Sequence, residues 1–162
     1  MPARSHPRPT CPVTGERGRA VPSITLESLL LPAVRARIGT SEWYFCASPD
    51  CAVVYFDGFG KSFDKQELSV RVGIKERAGP RPVCYCFDHT FESIAEEIRE
   101  TGNSTVVDSI TERIRAGDCE CETLNPRGAC CLGDVRAAVA NTNATVEDVP
   151  HDEEPGDCCA GA

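Results

Sequence analysis

Eleven cysteines in a chain of 162 residues are its main chemical resource. They fall into three sets. Cys11, Cys46 and Cys51 come first, and Cys84, Cys86, Cys119, Cys121, Cys130 and Cys131 follow, with Cys158 and Cys159 at the end. Thiolates are the ligands of zinc, of iron–sulfur clusters and of monovalent copper. In the first set, Cys46 and Cys51 flank a Ser48-Pro49-Asp50 turn, and Cys11 opens a Cys-Pro-Val-Thr-Gly turn that presents a third thiol. A structural zinc ion takes four ligands in a tetrahedron. Thr14 stands where a Cys-x-x-Cys knuckle would place the fourth, which leaves Asp50, Asp57, Asp64 or His89 as candidates. The second set reads Cys84-x-Cys86, Cys119-x-Cys121 and the vicinal Cys130-Cys131. Four of these six suffice for a two-iron cluster, and tetrahedral zinc is the competing occupant.

Short elements must carry these thiols. Leu26, Leu29, Leu30, Val34 and Ile38 recur at helical spacing, interrupted by Pro32, which splits or kinks the helix. Trp43–Cys46 and Cys51–Phe56 are β-prone runs about a turn, hence a hairpin. Leu68 to Ile74 alternates apolar and polar residues and predicts a third strand. Ala78 to Pro82, with one glycine and two prolines, marks a boundary. Beyond it, Thr90 predicts an N-cap for a helix with Phe91, Ile94, Ala95 and Ile98 on one face, ended by Gly102. Ser104 predicts the cap of a second helix, with Val106, Val107, Ile110 and Ile114, ended by Gly117. A loop spans Asp118 to Gly128, and a third short helix starts at Cys131 with Leu132, Val135 and Val139 inward. Placing Cys130 and Cys131 before that helix sets exposed amides against an anionic cluster.

The expected fold is α+β: a small zinc-stapled module of a hairpin and third strand over residues 11–78, then a short-helix cluster-binding module over 83–140. A flexible tail (1–10) and a disordered acidic tail (141–162) flank them. Modules this small bury little core and need cross-links or metal. Met1 to Thr10 lacks the apolar stretch of a secretory signal, so the chain is expected in the reducing cytoplasm, where cysteines favour metal over disulfides. The first 82 residues carry a net +4 and the last 80 a net −12. A net-negative chain without a basic-aromatic groove argues against nucleic acid. No apolar run is long enough to span a bilayer. Met1 is the single methionine, which excludes a thioether copper site.

Residues 42–56, Arg71-Val72, Lys75-Glu76, Val83–Phe87, Gly117–Glu122 and Asn125 to Gly133 together resemble the N-terminal domain of CopZ-type copper chaperones. Residues 83–140 are also similar to the bacterioferritin-associated ferredoxin type of helical module. The resemblance implies zinc at Cys11, Cys46 and Cys51. It implies a 2Fe–2S cluster at Cys84, Cys86, one of Cys119/Cys121 and one of Cys130/Cys131. It further implies copper (heavy-metal) trafficking, with one-electron reduction of Cu(II) to Cu(I) and hand-over to a copper chaperone or copper-transporting ATPase. CopZ proteins normally continue into a copper-binding domain with a Met-x-Cys-x-x-Cys loop, which this sequence lacks. Transfer would then involve a separate chaperone, or Cu+ held by Cys158 and Cys159.

Two other classes fit the cysteines: a structural two-zinc interaction module and a thiol-based heavy-metal sequestration protein. An enzyme fits least. His6, His89 and His151 lie in unrelated contexts, without a Ser/His/Asp or paired-carboxylate pattern.

Overall fold

The computed structural model describes residues 8–144; the expected terminal tails beyond them, with His6, His151, Cys158 and Cys159, lie outside the described residues. Four short strands, β1 (Arg19–Val21), β2 (Trp43–Phe45), β3 (Val53–Phe56) and β4 (Ser62–Asp64), form an antiparallel sheet in chain order. The expected hairpin is the β2–β3 pair, with Tyr44 opposite Phe56 and Phe45 opposite Tyr55. Helix α1 (Ser23–Leu29) ends before Pro32, which opens a separate 3-10 segment, Pro32–Arg37. Proline cannot supply the amide that a continuing helix needs.

The core of this region is aromatic. Trp43, Phe45, Tyr55 and Phe63 are buried with Leu26, Leu30 and Val54. The Trp43 and Phe63 rings lie 4.8 Å apart. The Trp43 indole donates to the Ile38 carbonyl at 3.1 Å, so its one polar atom is satisfied.

The third strand is not Leu68–Ile74 but β4. Asp64 and Glu67 form a capping box that turns the chain away from the sheet through a 3-10 segment, Lys65–Glu67. The chain then runs extended against α1, where Ser69 donates its amide to the Leu29 carbonyl and Leu68 bridges Leu30. The alternation therefore records one-sided burial of Leu68 and Val72 on the core, without strand partners. The run finishes in a 3-10 turn, Gly73–Lys75. Within the expected N-terminal tail, the described residues 8–10 are held to the fold: Thr10 bridges Arg17, and Gly18 donates to the Pro9 carbonyl.

Beyond residue 80, β5 (Pro82–Cys84) pairs with β6 (His89–Thr90). Thr90 caps α2 (Phe91–Thr101) in a capping box with Ser93, and Gly102 closes the helix at a φ of 79°. Helix α3 (Val106–Arg115) follows, with Thr105 in its N-cap position but making no side-chain capping bond. Ser104 instead accepts from the Val106 amide and donates to Glu97. The expected 118–128 loop contains a single helical turn, α4 (Cys121–Leu124). The last helix, α5 (Leu132–Ala144), is longer than expected and takes in the first residues assigned to an acidic tail. Ile94, Ile98, Ile110 and Val135 pack with Cys84, Cys121 and Cys131 into a second core.

Several close approaches join the two cores. The buried Tyr55 hydroxyl donates to the Pro126 carbonyl at 2.6 Å. The Thr25 hydroxyl donates to the Glu122 carbonyl at 2.5 Å. Gly73 lies so near β5 that a Cβ there would sit 1.8 Å from the Pro82 carbonyl oxygen. Replacing Tyr55 with Phe leaves a buried carbonyl unpaired, a loss of about 1–3 kcal/mol. Urea unfolding of Tyr55→Phe is expected to show a lowered midpoint with an unchanged slope.

Candidate metal centres

The Cys11 turn, the end of β2 and the start of β3 bring the first three thiols together. Cys11, Cys46 and Cys51 are all buried, and their sulfurs lie within 4.8 Å of one another. The Cys11 and Cys51 sulfurs are 3.9 Å apart. Tetrahedral zinc with Zn–S bonds of ~2.3 Å requires thiolate sulfurs about 3.8 Å apart, so the spacing fits. The thiols pack against Val53 and Phe56.

None of the expected fourth ligands joins the three thiols. Asp57 accepts from the amides of Phe59 and Lys61, Asp64 caps a 3-10 turn, and Asp50 pairs with Arg77. His89 belongs to β6 in the other sheet. Among the described residues, no other His, Cys, Asp or Glu joins the three thiols.

Sequence reasoning missed the cation beside this group. Lys75 is 3% exposed, and its Nζ donates to the carbonyls of Ser48 at 2.7 Å and Cys51 at 3.1 Å. Burial lowers its pKa, against the opposing pull of the Cys46, Cys51 and Cys11 thiols. In the sequence Lys75 is one more charge in a Lys-Glu-Arg run; only the end of the apolar alternation at Ile74 hints that it faces inward. Burial raises the Cys51 thiol to about 11. Burial also pushes Cys11 upward, but the backbone amides of Thr14 and Val13 outweigh it and bring that thiol down to about 7.

The second group draws on three segments. Cys131, at the start of α5, donates its thiol to Cys84 at 3.2 Å. Cys86 and Cys121 are 3.4 Å apart, and Cys119 donates to Cys121 at 3.4 Å. Cys84, Cys121 and Cys131 are buried, whereas Cys86 and Cys119 are half-buried. Cys131 holds the Cys84 thiol below its ordinary pKa by donating to it. Contact with Cys121, and then burial, pushes Cys86 up, while contact with Cys131 pushes Cys121 up. Cys130 accepts from the Leu132 amide at 3.5 Å. A cavity of ≈ 360 Å³ reaches Cys84, walled also by Arg71, Tyr85, His89 and Leu124.

Residues 8–69 match the zf_CopZ family, described as a zinc binding domain. The copper chaperone CopZ of Archaeoglobus fulgidus is 35% identical over 122 residues, which cover 75% of this chain and 57% of that protein. The X-ray structure of the Archaeoglobus fulgidus CopZ N-terminal domain superposes with a TM-score of 0.69 at 32% identity, covering 80% of this chain and 96% of that one. The chain belongs to the CopZ N-terminal-domain family. It spans a little more than half the length of the full-length CopZ relative. No helix among the described residues is long and apolar enough to cross a membrane.

The two thiol pKa values in the first group order its reactivity, because the thiolate is the nucleophile. In metal-free, reduced protein, iodoacetamide labelling followed by peptide mass spectrometry is expected to modify Cys11 ahead of Cys51 at pH 8. The Cys11 rate should rise with a midpoint near its pKa of about 7.

Proposed function

We propose that this chain is a zinc- and 2Fe–2S-binding protein of copper or heavy-metal trafficking, acting by metal and electron transfer and not as an enzyme. The carrying observation is the convergence of thiols from distant segments: Cys84 on Cys131, and Cys86 on Cys121. Two facing pairs suit a two-iron rhomb, which takes two thiolates per iron. In this reading Cys84, Cys86, Cys121 and Cys131 hold the cluster. Cys119, which donates to Cys121, stands beside it, and Cys130 is left outside the ligand set. Cys11, Cys46 and Cys51 hold zinc. The chain divides functionally into residues 11–78 and 83–140.

When bound, such a cluster supplies a one-electron couple able to convert Cu(II) into the Cu(I) that thiolates prefer. The chain's own residues shape that couple. Cys84 and Cys131 are sealed in the second core, and the Glu120 amide donates to the Cys86 sulfur at 3.4 Å. Helix α5 directs its N-terminus at Cys131, where a positive dipole end favours thiolate. Partners of matching chemistry are a cytoplasmic copper chaperone or the soluble domain of a copper-transporting ATPase, reached without a nucleic-acid or membrane-spanning contact.

Anaerobically purified protein is expected to contain about two irons and two sulfides by the cluster stoichiometry, with one zinc, and to show a visible spectrum that bleaches with dithionite. Alanine at Cys84, Cys86, Cys121 or Cys131 should abolish the spectrum and spare the zinc, whereas Cys130→Ala should keep both. A colourless protein after anaerobic reconstitution with iron and sulfide overturns the cluster reading.

A further inference from the structure

Lys75 is the one lysine among the described residues that is buried with its ammonium enclosed. Its Nζ donates to two backbone acceptors of the loop that carries two of the thiols, the Ser48 carbonyl and the Cys51 carbonyl. Its Nζ also lies 6.0 Å from the centre of the Phe45 ring. Among the described residues no carboxylate reaches it. Glu76, its neighbour in sequence, pairs instead with Lys65 and Arg71. A buried ammonium without a counter-charge is costly, and the acidic groups whose ionisation favours this one are the Cys46, Cys51 and Cys11 thiols.

We propose that Lys75 is a specificity-determining residue of the Cys11–Cys46–Cys51 centre, setting its charge so that a divalent ion is preferred over a trivalent thiophile. The inference rests on the proposed metal occupancy of that centre and goes beyond it. Three thiolates, the ammonium and a divalent ion together are neutral. A neutral fourth ligand, such as water or an imidazole, leaves that total unchanged. Trivalent arsenic behaves differently. Arsenite, As(OH)3, exchanges its three hydroxyls for three cysteine sulfurs; the three thiol protons leave with them as three waters, and no electron moves. The resulting As(S)3 unit is itself neutral, so the Lys75 ammonium stays buried without a counter-charge. Lys75 also holds the Ser48 and Cys51 carbonyls, fixing the loop that carries two of the three ligands.

Lys75→Met removes the charge while keeping a long unbranched side chain, and it reverses the ledger: the zinc form becomes anionic and the arsenic form neutral. The test uses the full chain with its cluster intact, titrated anaerobically with a zinc chelator in one arm and with arsenite in the other. Metal is counted at this centre only where it is lost in Cys46→Ala. Zinc affinity in Lys75→Met is expected to fall roughly 10–100-fold, the range for loss of an outer-sphere partner, while arsenite affinity holds or rises. Lys75→Arg, which keeps the charge but cannot serve as an amine ligand, is expected to retain the wild-type order. A zinc-to-arsenite affinity ratio in Lys75→Met within about threefold of wild type overturns the inference, because parallel loss of both marks Lys75 as merely structural. Wild-type zinc that survives Cys46→Ala would instead sink the proposed zinc reading itself.

Discussion

The constraint on which this structure depends is the close approach of thiols that the chain keeps far apart. Cys11 meets Cys51 across 40 positions, and Cys84 meets Cys131 across 47. Neutral thiols at these distances behave as small apolar side chains, and they fill out two cores that are otherwise modest. Ionised, they repel. Hydrogen bonding between neighbouring sulfurs is the leading reason that Cys86 and Cys121 are held above the ordinary thiol pKa, with repulsion adding to it. Metal binding replaces those protons with a cation, so it converts the least favourable feature of the metal-free fold into a cross-link. In a chain of short strands and short helices, such a cross-link matters more than it would in a large domain.

The two thiol groups are also mechanically joined. The 3-10 turn Gly73–Lys75 has the Gly73 amide on the Tyr85 hydroxyl at one end, and Tyr85 stands between Cys84 and Cys86. At its other end Lys75 reaches the Cys46–Cys51 loop. The loop bearing Cys121 and Cys131 is held separately, by Thr25 at Glu122 and by Tyr55 at Pro126. Gly128 keeps that loop close: its φ of +63° and a hypothetical Cβ 2.6 Å from the Thr25 hydroxyl both call for glycine. Each segment carrying second-group thiols is therefore seated partly on side chains of the first core.

Much of this was legible in the sequence because the signals were local. Pro32 divided a helix, Thr90 capped one, and the Trp43–Phe56 hairpin followed from β-prone residues about a turn. The grouping of Cys11, Cys46 and Cys51 was legible for the same reason, since a turn and a hairpin bring them close. What was not legible depended on partners. The alternation at Leu68–Ile74 carries the same period whether its polar edge meets a strand or only α1, and the Asp64 capping box decided the matter. Strand β1 is too short to announce itself. Lys75 is invisible for a related reason: a lysine becomes a functional group only when every acceptor around it comes from elsewhere in the chain.

The surroundings of the two thiol groups differ in a way that suits the roles proposed for them. Beside the first, a side-chain ammonium is enclosed in the protein and cannot be re-solvated without opening the Cys46–Cys51 loop. A fixed charge of that kind is best matched by an occupant whose own charge never changes, as with redox-inert zinc. Around the second group, the donor to a clustered sulfur is a backbone amide, that of Glu120 on Cys86, supplemented by the amino end of α5 at Cys131. Arg113 spends its guanidinium on the Phe87 ring at 4.0 Å. Peptide dipoles stabilise negative charge in a graded way without demanding a set amount of it. A centre that gains and loses one electron is better served by such dipoles, because neither oxidation state leaves a buried ion unmatched. Exchanging the two environments would place a stranded ammonium beside a centre of changing charge, which is the arrangement this fold avoids.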